Sequence, residues 1–106
     1  MQRVTVVRYT TKSDHTAENE ALSRAVFAQL RSARPAGVAY ALFRDGNDFI
    51  HVFLNLQADE SAPVTELPAF KTFEKGIVER CEVPPKATRL AAQLLDCYGF
   101  GAGPVS

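Results

Sequence analysis

Cysteine, net charge and long apolar runs are scarce in this sequence, and each scarcity removes a class of function. Two cysteines, Cys81 and Cys97, are too few for a disulfide framework, and no cysteine or histidine spacing matches a metal site. The charges of the 12 basic and 12 acidic side chains cancel, so we expect no basic surface that would bind nucleic acid or an anionic membrane. No apolar run approaches the roughly 18 residues that a membrane helix needs. Phosphate-binding loops and nucleophile-elbow motifs are also absent.

The chain is long enough for one domain, because 106 residues can bury a real but small core. We expect this domain to span residues 1–98 and the glycine- and proline-rich residues 99–106 to form a flexible tail. The first residues enter a strand pattern without the layout of a signal peptide. The sequence therefore predicts a cytoplasmic protein with no nucleic-acid partner and no membrane partner.

A predicted β-hairpin lies in the middle of the sequence, and the rest of the chain is organised around it. Two runs rich in β-branched and aromatic residues flank Asp-Gly-Asn at positions 45–47, and Asp-Gly between such runs favours a hairpin turn. A two-residue loop of Asp45 and Gly46 would place Tyr40 opposite His51. A loop one residue later would keep the same division of side chains between the two faces.

The two faces of this hairpin differ in composition. One, which we call the aliphatic face, has two alanines on its first strand and branched aliphatic residues on its second, which suits close packing of helices; it comprises Ala39, Ala41, Phe43, Ile50, Val52 and Leu54. The other is aromatic and carries the polar groups of His51, Tyr40 and, further along, Asn55. Since both faces are too apolar for water, we expect helices on the aliphatic face and a second cover on the aromatic face.

The flanking segments predict the order strand–helix–strand–strand–helix–strand. Residues Arg3 to Thr11 are typical of a strand, and Ser13 to Arg34 of a helix capped by its first two residues. A second helix is predicted from Pro68, weakened at Gly76 and ended by the proline pair at 84–85.

Residues 87–98 support two interpretations. Their alanines and leucines favour a helix by propensity, whereas a fourth strand would cover an exposed sheet edge. We predict the strand, because it completes an α+β, ferredoxin-like βαββαβ fold with a four-stranded antiparallel sheet.

With these elements in place, the chain resembles the dimeric α+β barrel superfamily, in its antibiotic-biosynthesis-monooxygenase-like branch. The resemblance is one of pattern over nearly the whole chain to Tyr98. It includes the opening strand, the capped helix, the hairpin ending Phe-Ile-His-Val-Phe-Leu-Asn, and the segment Pro-Ala-Phe-Lys-Thr-Phe-Glu-Lys-Gly-Ile-Val-Glu-Arg-Cys at 68–81. The resemblance implies a homodimer in which two sheets pair face to face, with the aromatic face inside the barrel.

The same resemblance implies a pocket for a small hydrophobic or aromatic ligand. Some such relatives oxidise polycyclic aromatic compounds with molecular oxygen and no cofactor, whereas others bind or degrade haem or isomerise lactones. This chain departs from the cofactor-free oxygenases and the haem-degrading relatives in one respect, because it has no tryptophan.

Six residues of the hairpin and the first strand are candidates for a site. His51 could act as a general base or position a substrate oxygen, and the Tyr40 hydroxyl could bind a carbonyl or enolate, so we predict both as catalytic. The predicted substrate-binding residues are Tyr9, Asn55, Phe49 and Phe53. Each has a plainer structural role open to it: a core histidine bonded to tyrosine, packed aromatic rings and a strand-end amide. We expect neither a metal nor a cofactor.

Three functions are compatible with this site. The first is a homodimeric, cofactor-independent monooxygenase-like enzyme acting on a small aromatic or quinone-like substrate. The second is a non-catalytic module that binds a small ligand, and the third is a purely structural dimer. Fold alone does not distinguish them.

Overall fold

A computed structural model describes residues 2–57 and 63–99. The elements follow in the order β1 (Arg3–Thr11), a short 3-10 turn (Ser13–His15), α1 (Thr16–Ala33), β2 (Val38–Asp45), β3 (Asp48–Asn55), α2 (Pro68–Glu74), α3 (Ile77–Arg80) and β4 (Cys81–Ala91). The strands form one antiparallel sheet in the order β2-β3-β1-β4. This is the predicted ferredoxin-like βαββαβ fold, with its second helix divided in two.

The hairpin of β2 and β3 forms as predicted, but its turn lies one residue later. Asp45 pairs with Asp48, so the loop is Gly46-Asn47, and Tyr40 lies opposite Phe53 instead of His51. Gly46 has φ +62, the positive value that the first loop residue of a type II′ turn requires. Because the loop still has two residues, the division of side chains between the two faces is as predicted.

The prediction that helices cover the aliphatic face of the sheet was wrong. Helices cover the aromatic face: Phe27 of α1 stacks on Tyr40 at 4.3 Å between ring centroids, and Phe73 of α2 lies 5.5 Å from His51. The physical reason is that the helices carry aromatic rings of their own, which bury more area against other rings than against alanines. The aliphatic face of the sheet is the one that no described helix covers.

Helix α1 begins later than predicted. Residues 13–15 form the 3-10 turn, and neither Ser13 nor Asp14 caps the α-helix, which starts at Thr16 without a side-chain cap. The carboxylate of Glu18 contacts His15 Nδ1 at 3.0 Å. The helix ends where Arg34 adopts φ 50.

The second predicted helix ends earlier than expected. Gly76, with φ +84, separates α2 from α3, and β4 starts directly after Arg80. The proline pair at 84–85 therefore lies inside a strand and does not end a helix. Prolines are tolerated there because β4 is an edge strand, whose only neighbour in the described sheet is β1.

The strand predicted at 87–98 exists, but it is displaced along the sequence. It occupies Cys81–Ala91, and residues 92–97 have no regular structure. The Ala92 amide still donates to the Gln2 carbonyl at 3.0 Å, while the Tyr98 side chain is fully exposed. The predicted tail beyond Gly99 lies outside the described residues.

None of the helices in residues 2–57 and 63–99 combines the length and apolar character that crossing a bilayer requires. Within the same ranges, no three histidine, cysteine or acidic side chains are grouped as metal ligands would be.

Candidate functional site

Side chains of β1, β2 and β3 meet on the face of the sheet that the helices cover. Tyr40 Oη lies 2.5 Å from His51 Nδ1, and Tyr9 Oη lies 2.7 Å from His51 Nε2. Both tyrosines are diagonal neighbours of the histidine, two residues away from its direct cross-strand partners Leu42 and Val7. Long aromatic side chains can bridge such diagonals. The antiparallel register therefore produces the Tyr–His–Tyr contact.

The hydrogen bonds continue from the sheet into the helices. Asn19 Nδ2 donates to Tyr9 Oη at 2.8 Å, and Arg80 Nε donates to Asn19 Oδ1 at 3.0 Å. The Arg80 guanidinium also donates to the carbonyls of Phe73 and Lys75, at 2.7 and 3.3 Å. An unbroken path of five side chains thus runs from α3 to β2. We call it the buried relay; its members are Arg80, Asn19, Tyr9, His51 and Tyr40.

Burial sets the protonation states along the buried relay. Burial lowers the pKa of His51 to about 4, so the imidazole is neutral at pH 7. Burial raises the pKa of Tyr9 to about 12, despite hydrogen bonds with Asn19 and Ser23 that act in the opposite direction. Burial also raises the pKa of Tyr40 above its ordinary value. Both phenols are therefore protonated, and each can donate one hydrogen bond.

The available protons give the buried relay a direction. Because the Asn19 amide donates to Tyr9, the Tyr9 hydroxyl can donate to His51 Nε2. The single proton of the neutral imidazole then lies on Nδ1 and donates to Tyr40 Oη. This leaves the Tyr40 proton without an acceptor inside the relay. Starting from the Arg80 cation, each hydrogen bond polarises the next one, and the last group to be polarised is the Tyr40 hydroxyl.

Two of the predicted substrate-binding residues pack directly against the buried relay. Phe49, which has no exposed surface, stacks on Tyr9 with centroids 5.4 Å apart. Phe53 stacks on Tyr40 with centroids 4.2 Å apart. The structure thus groups five of the six predicted residues, while their roles in binding or catalysis stay predictions.

Asn55 is the predicted site residue that lies apart from the others. It stands at the end of β3, opposite Val38, four residues along the strand from His51. Its Oδ1 accepts a hydrogen bond from the Gln57 amide at 3.0 Å. This geometry matches the plainer role considered for it, an amide that ends a strand.

Sequence reasoning missed Asn19 and Arg80, although each continues a helical stripe. The buried face of α1 is Thr16, Asn19, Ser23 and Val26, a spacing of three and four that extends the apolar pattern through small polar residues. Arg80 follows the buried residues Phe73 and Ile77 at the same spacing. A buried stripe that ends in polar residues was the signal for this site.

Comparisons with known proteins support the fold. No sequence-family model matches the chain, and no curated protein sequence matches it. Among solved structures, a proposed antibiotic biosynthesis monooxygenase from Nitrosomonas europaea aligns with TM-score 0.70 and 19% identity, over 86% of this chain and 89% of its own. This chain has the fold of the antibiotic biosynthesis monooxygenase-like α+β barrel proteins.

Two further solved structures share this monooxygenase-like fold. Rv0793 from Mycobacterium tuberculosis aligns with TM-score 0.69 and 18% identity, over 91% of this chain and 97% of its own. A variant of SnoaB, a cofactor-independent oxygenase from Streptomyces nogalater, aligns with TM-score 0.64 and 17% identity, over 89% and 95%. At these identities the likeness concerns the fold, and function has to be argued from the site.

Proposed function

We propose that the protein is a small homodimeric enzyme of the cofactor-independent monooxygenase type, acting on an aromatic or quinone-like substrate. The observation that carries this proposal is the buried relay, which directs the dipoles of four hydrogen bonds towards the Tyr40 hydroxyl. Buried titratable groups with strongly shifted pKa values cluster at functional sites, and the buried relay contains three of them, Tyr9, His51 and Tyr40. SnoaB, which shares this fold, is a cofactor-independent oxygenase, and this supports the proposal.

In this proposal Tyr40 is the catalytic residue and His51 is its positioning residue. The Tyr40 hydroxyl donates a hydrogen bond to a substrate carbonyl or enolate oxygen and stabilises its negative charge. With a pKa of about 4, His51 is a weak base at neutral pH, so holding Tyr40 and polarising it suits the imidazole better than removing a proton. Tyr9 fixes the histidine from its other nitrogen.

Dimerisation is proposed for the aliphatic sheet face, which replaces the aromatic face in this role. Side chains of β1 and β3 point there, including Val6 and Val52, which are paired across the strands. Phe43 and Leu90, on the outer strands, are 57% and 55% exposed. An open apolar face of this kind suits a second copy of the chain, related by a two-fold axis.

The dimer is tested by placing a charge at the centre of the aliphatic face. Val52→Asp should convert the dimer into a folded monomer in size-exclusion chromatography with light scattering, since an unpaired carboxylate cannot be buried cheaply. Val78→Asp is the matched control, because Val78 lies on α3 and is 64% exposed. A native protein that is monomeric at high micromolar concentration would overturn this part of the proposal.

Catalysis is tested with a panel of hydroxylated naphthalenes and anthracenes in air-saturated buffer. Oxygen uptake and product mass are followed for the native chain, Tyr40→Phe and Tyr98→Phe. Tyr40→Phe should lower kcat by about 10²-fold, the usual effect of removing one oxyanion donor. Tyr98→Phe should have no effect, because that side chain is fully exposed. Turnover that survives Tyr40→Phe would contradict the assignment.

A non-catalytic binding module is the second candidate, and one observation favours it. His51 is only 2% exposed, and both its nitrogens already have tyrosine partners. A site this well satisfied is what a rigid core would also contain. Ligand binding without turnover anywhere in the panel would select this candidate.

A further inference from the structure

A cleft of about 380 Å³ lies between α1 and the outer strand β2, beside the buried relay. Phe27 and Leu42 form its apolar walls, the fully buried ring of Phe49 lies beneath them, and its charged lining is Glu20, Arg24, Arg31 and Arg44. The volume lies within the range of small-molecule sites, and a few charged groups around aromatic walls are their usual composition.

The sequence places these groups together through two periodicities. On α1 the lining residues are 20, 24, 27 and 31, whose spacing of four, three and four defines a single helix stripe. On β2 the lining residues Leu42 and Arg44 are two apart and therefore share a face. The stripe and the strand face each other across the cleft.

Three arginines against one glutamate leave the cleft with an excess of two positive charges. Glu20 contacts Arg44 Nη1 at 2.7 Å and Arg24 Nη2 at 3.0 Å, and hydrogen bonds from Arg44 and then Arg24 hold its pKa below the ordinary value. Arg44 is further oriented by donating from Nε to the Gly46 carbonyl at 2.7 Å. Among the described residues, Arg31 makes no ion pair with an acidic group.

We infer that this cleft binds a small organic anion with a planar apolar body, such as an aromatic carboxylate or phosphate. The ring would lie against Phe27 and Leu42, and the anionic group would accept hydrogen bonds from Arg31 and Arg44. Guanidinium groups suit this task because their planar donors match carboxylate and phosphate oxygens.

The cleft shares its walls with the buried relay. Phe27 belongs to the cleft and stacks on Tyr40, while Leu42 is the direct cross-strand partner of His51. If the proposed enzyme activity holds, the anion bound here is the natural candidate for its substrate. Binding itself does not rest on that activity and is measured without turnover.

The test uses 2-naphthoate, whose fluorescence is easy to follow because the chain has no tryptophan. Arg31→Ala should weaken binding about three- to fivefold, as expected for losing one exposed charged hydrogen-bond donor. Glu20→Gln should strengthen it, because it releases Arg24 and Arg44 from their shared carboxylate. Arg89→Ala, an exposed arginine on β4, is the matched control and should bind as the native chain does.

Two further probes separate the anion from its apolar body. Neutral 2-naphthalenemethanol and inorganic phosphate should each bind much more weakly than 2-naphthoate, and added salt should weaken naphthoate binding. Amide shifts in NMR spectra should concentrate at Phe27, Leu42 and Phe49.

The inference is overturned if the neutral alcohol binds as tightly as naphthoate, if Arg31→Ala binds like the native chain, or if the shifts fall on the aliphatic sheet face. Binding with these properties in a protein that turns over nothing would refute the proposed enzyme alone. Turnover that is unchanged in Arg31→Ala and Glu20→Gln, while naphthoate binding changes as expected, would refute only the identification of the bound anion with the substrate.

Discussion

The two faces of the sheet are both apolar, yet they differ in almost everything else. The helix-covered face has many aromatic rings, a neutral histidine and a directed set of hydrogen bonds, whereas the open face has mainly branched aliphatic side chains and small alanines, with Phe43 at its edge. Polar groups in a core need partners at fixed positions, which only elements of the same chain supply reliably. An aliphatic surface is stabilised by any burial that removes it from water and needs no partner at a fixed position. The contrast separates a face built for a specific arrangement from one suited to association.

The largest expected effect is a difference in unfolding free energy between two variants, each of which lacks one phenylalanine ring on one of the two faces. Phe49→Ala removes a fully buried side chain and should lower the free energy of unfolding by about 4 kcal/mol. Phe43→Ala, on the open face, should change the stability of the single chain by less than about 0.5 kcal/mol. Urea unfolding at several protein concentrations checks both. A large, concentration-independent loss in Phe43→Ala would remove the distinction between the faces.

Arg80→Ala should have the next largest effect, about 3 kcal/mol, because it leaves buried acceptors on Asn19 and Phe73 without their cationic donor. Urea unfolding of the variant measures the loss. Arg89→Ala, where the arginine is exposed, should stay within about 0.5 kcal/mol of the native chain. Equal stabilities for the two variants would mean that the buried cation contributes nothing to the fold.

Acid should destabilise the fold through His51. Its pKa is about 4 in the fold against an ordinary 6.5, so the unfolded chain binds the proton more tightly. Its contribution is therefore complete above pH 6.5 and is lost as the pH falls towards 4, by roughly 2–3 kcal/mol. Unfolding free energies measured from pH 8 to pH 4 should show this loss in the native chain and in His15→Gln. They should not show it in His51→Gln, and a similar loss there would assign the effect to other groups.

Tyr40→Phe should have the smallest effect on stability, about 1 kcal/mol, since it removes one hydrogen bond at the end of the buried relay. Tyr9→Phe should cost more, because the Tyr9 hydroxyl contacts both Asn19 and His51. Thermal unfolding of both variants checks the order. If Tyr40→Phe is the less stable of the two, the relay does not end at Tyr40 as described.

Much of the architecture could be predicted from local patterns. Alternating apolar residues and the Asp-Gly signal predicted the hairpin, and the need to cover an edge predicted β4 against the helical propensity of its residues. The displaced start of β4 could not be predicted locally, because prolines end a helix and are also accepted in an edge strand.

The face that the helices cover was the harder problem. Both faces of the hairpin are apolar, so periodicity alone cannot say which one a helix will meet. The decision came from Phe27 and Phe73, whose rings on the helices pack with Tyr40 and His51. The contact between Tyr40 and His51 was foreseen, but from a register that proved wrong. Asn19 and Arg80 depend on helix contacts that are distant in sequence.

The prolines of β4 have a consequence for how copies of this chain can meet. Neighbouring residues of a strand direct their amides to opposite sides, so one of Pro84 and Pro85 removes a donor from the outer edge of the sheet. The other falls where the pairing with β1 is irregular. A strand from another chain that paired with this edge would lack one backbone hydrogen-bond donor. Growth of the sheet from chain to chain is therefore interrupted on this side.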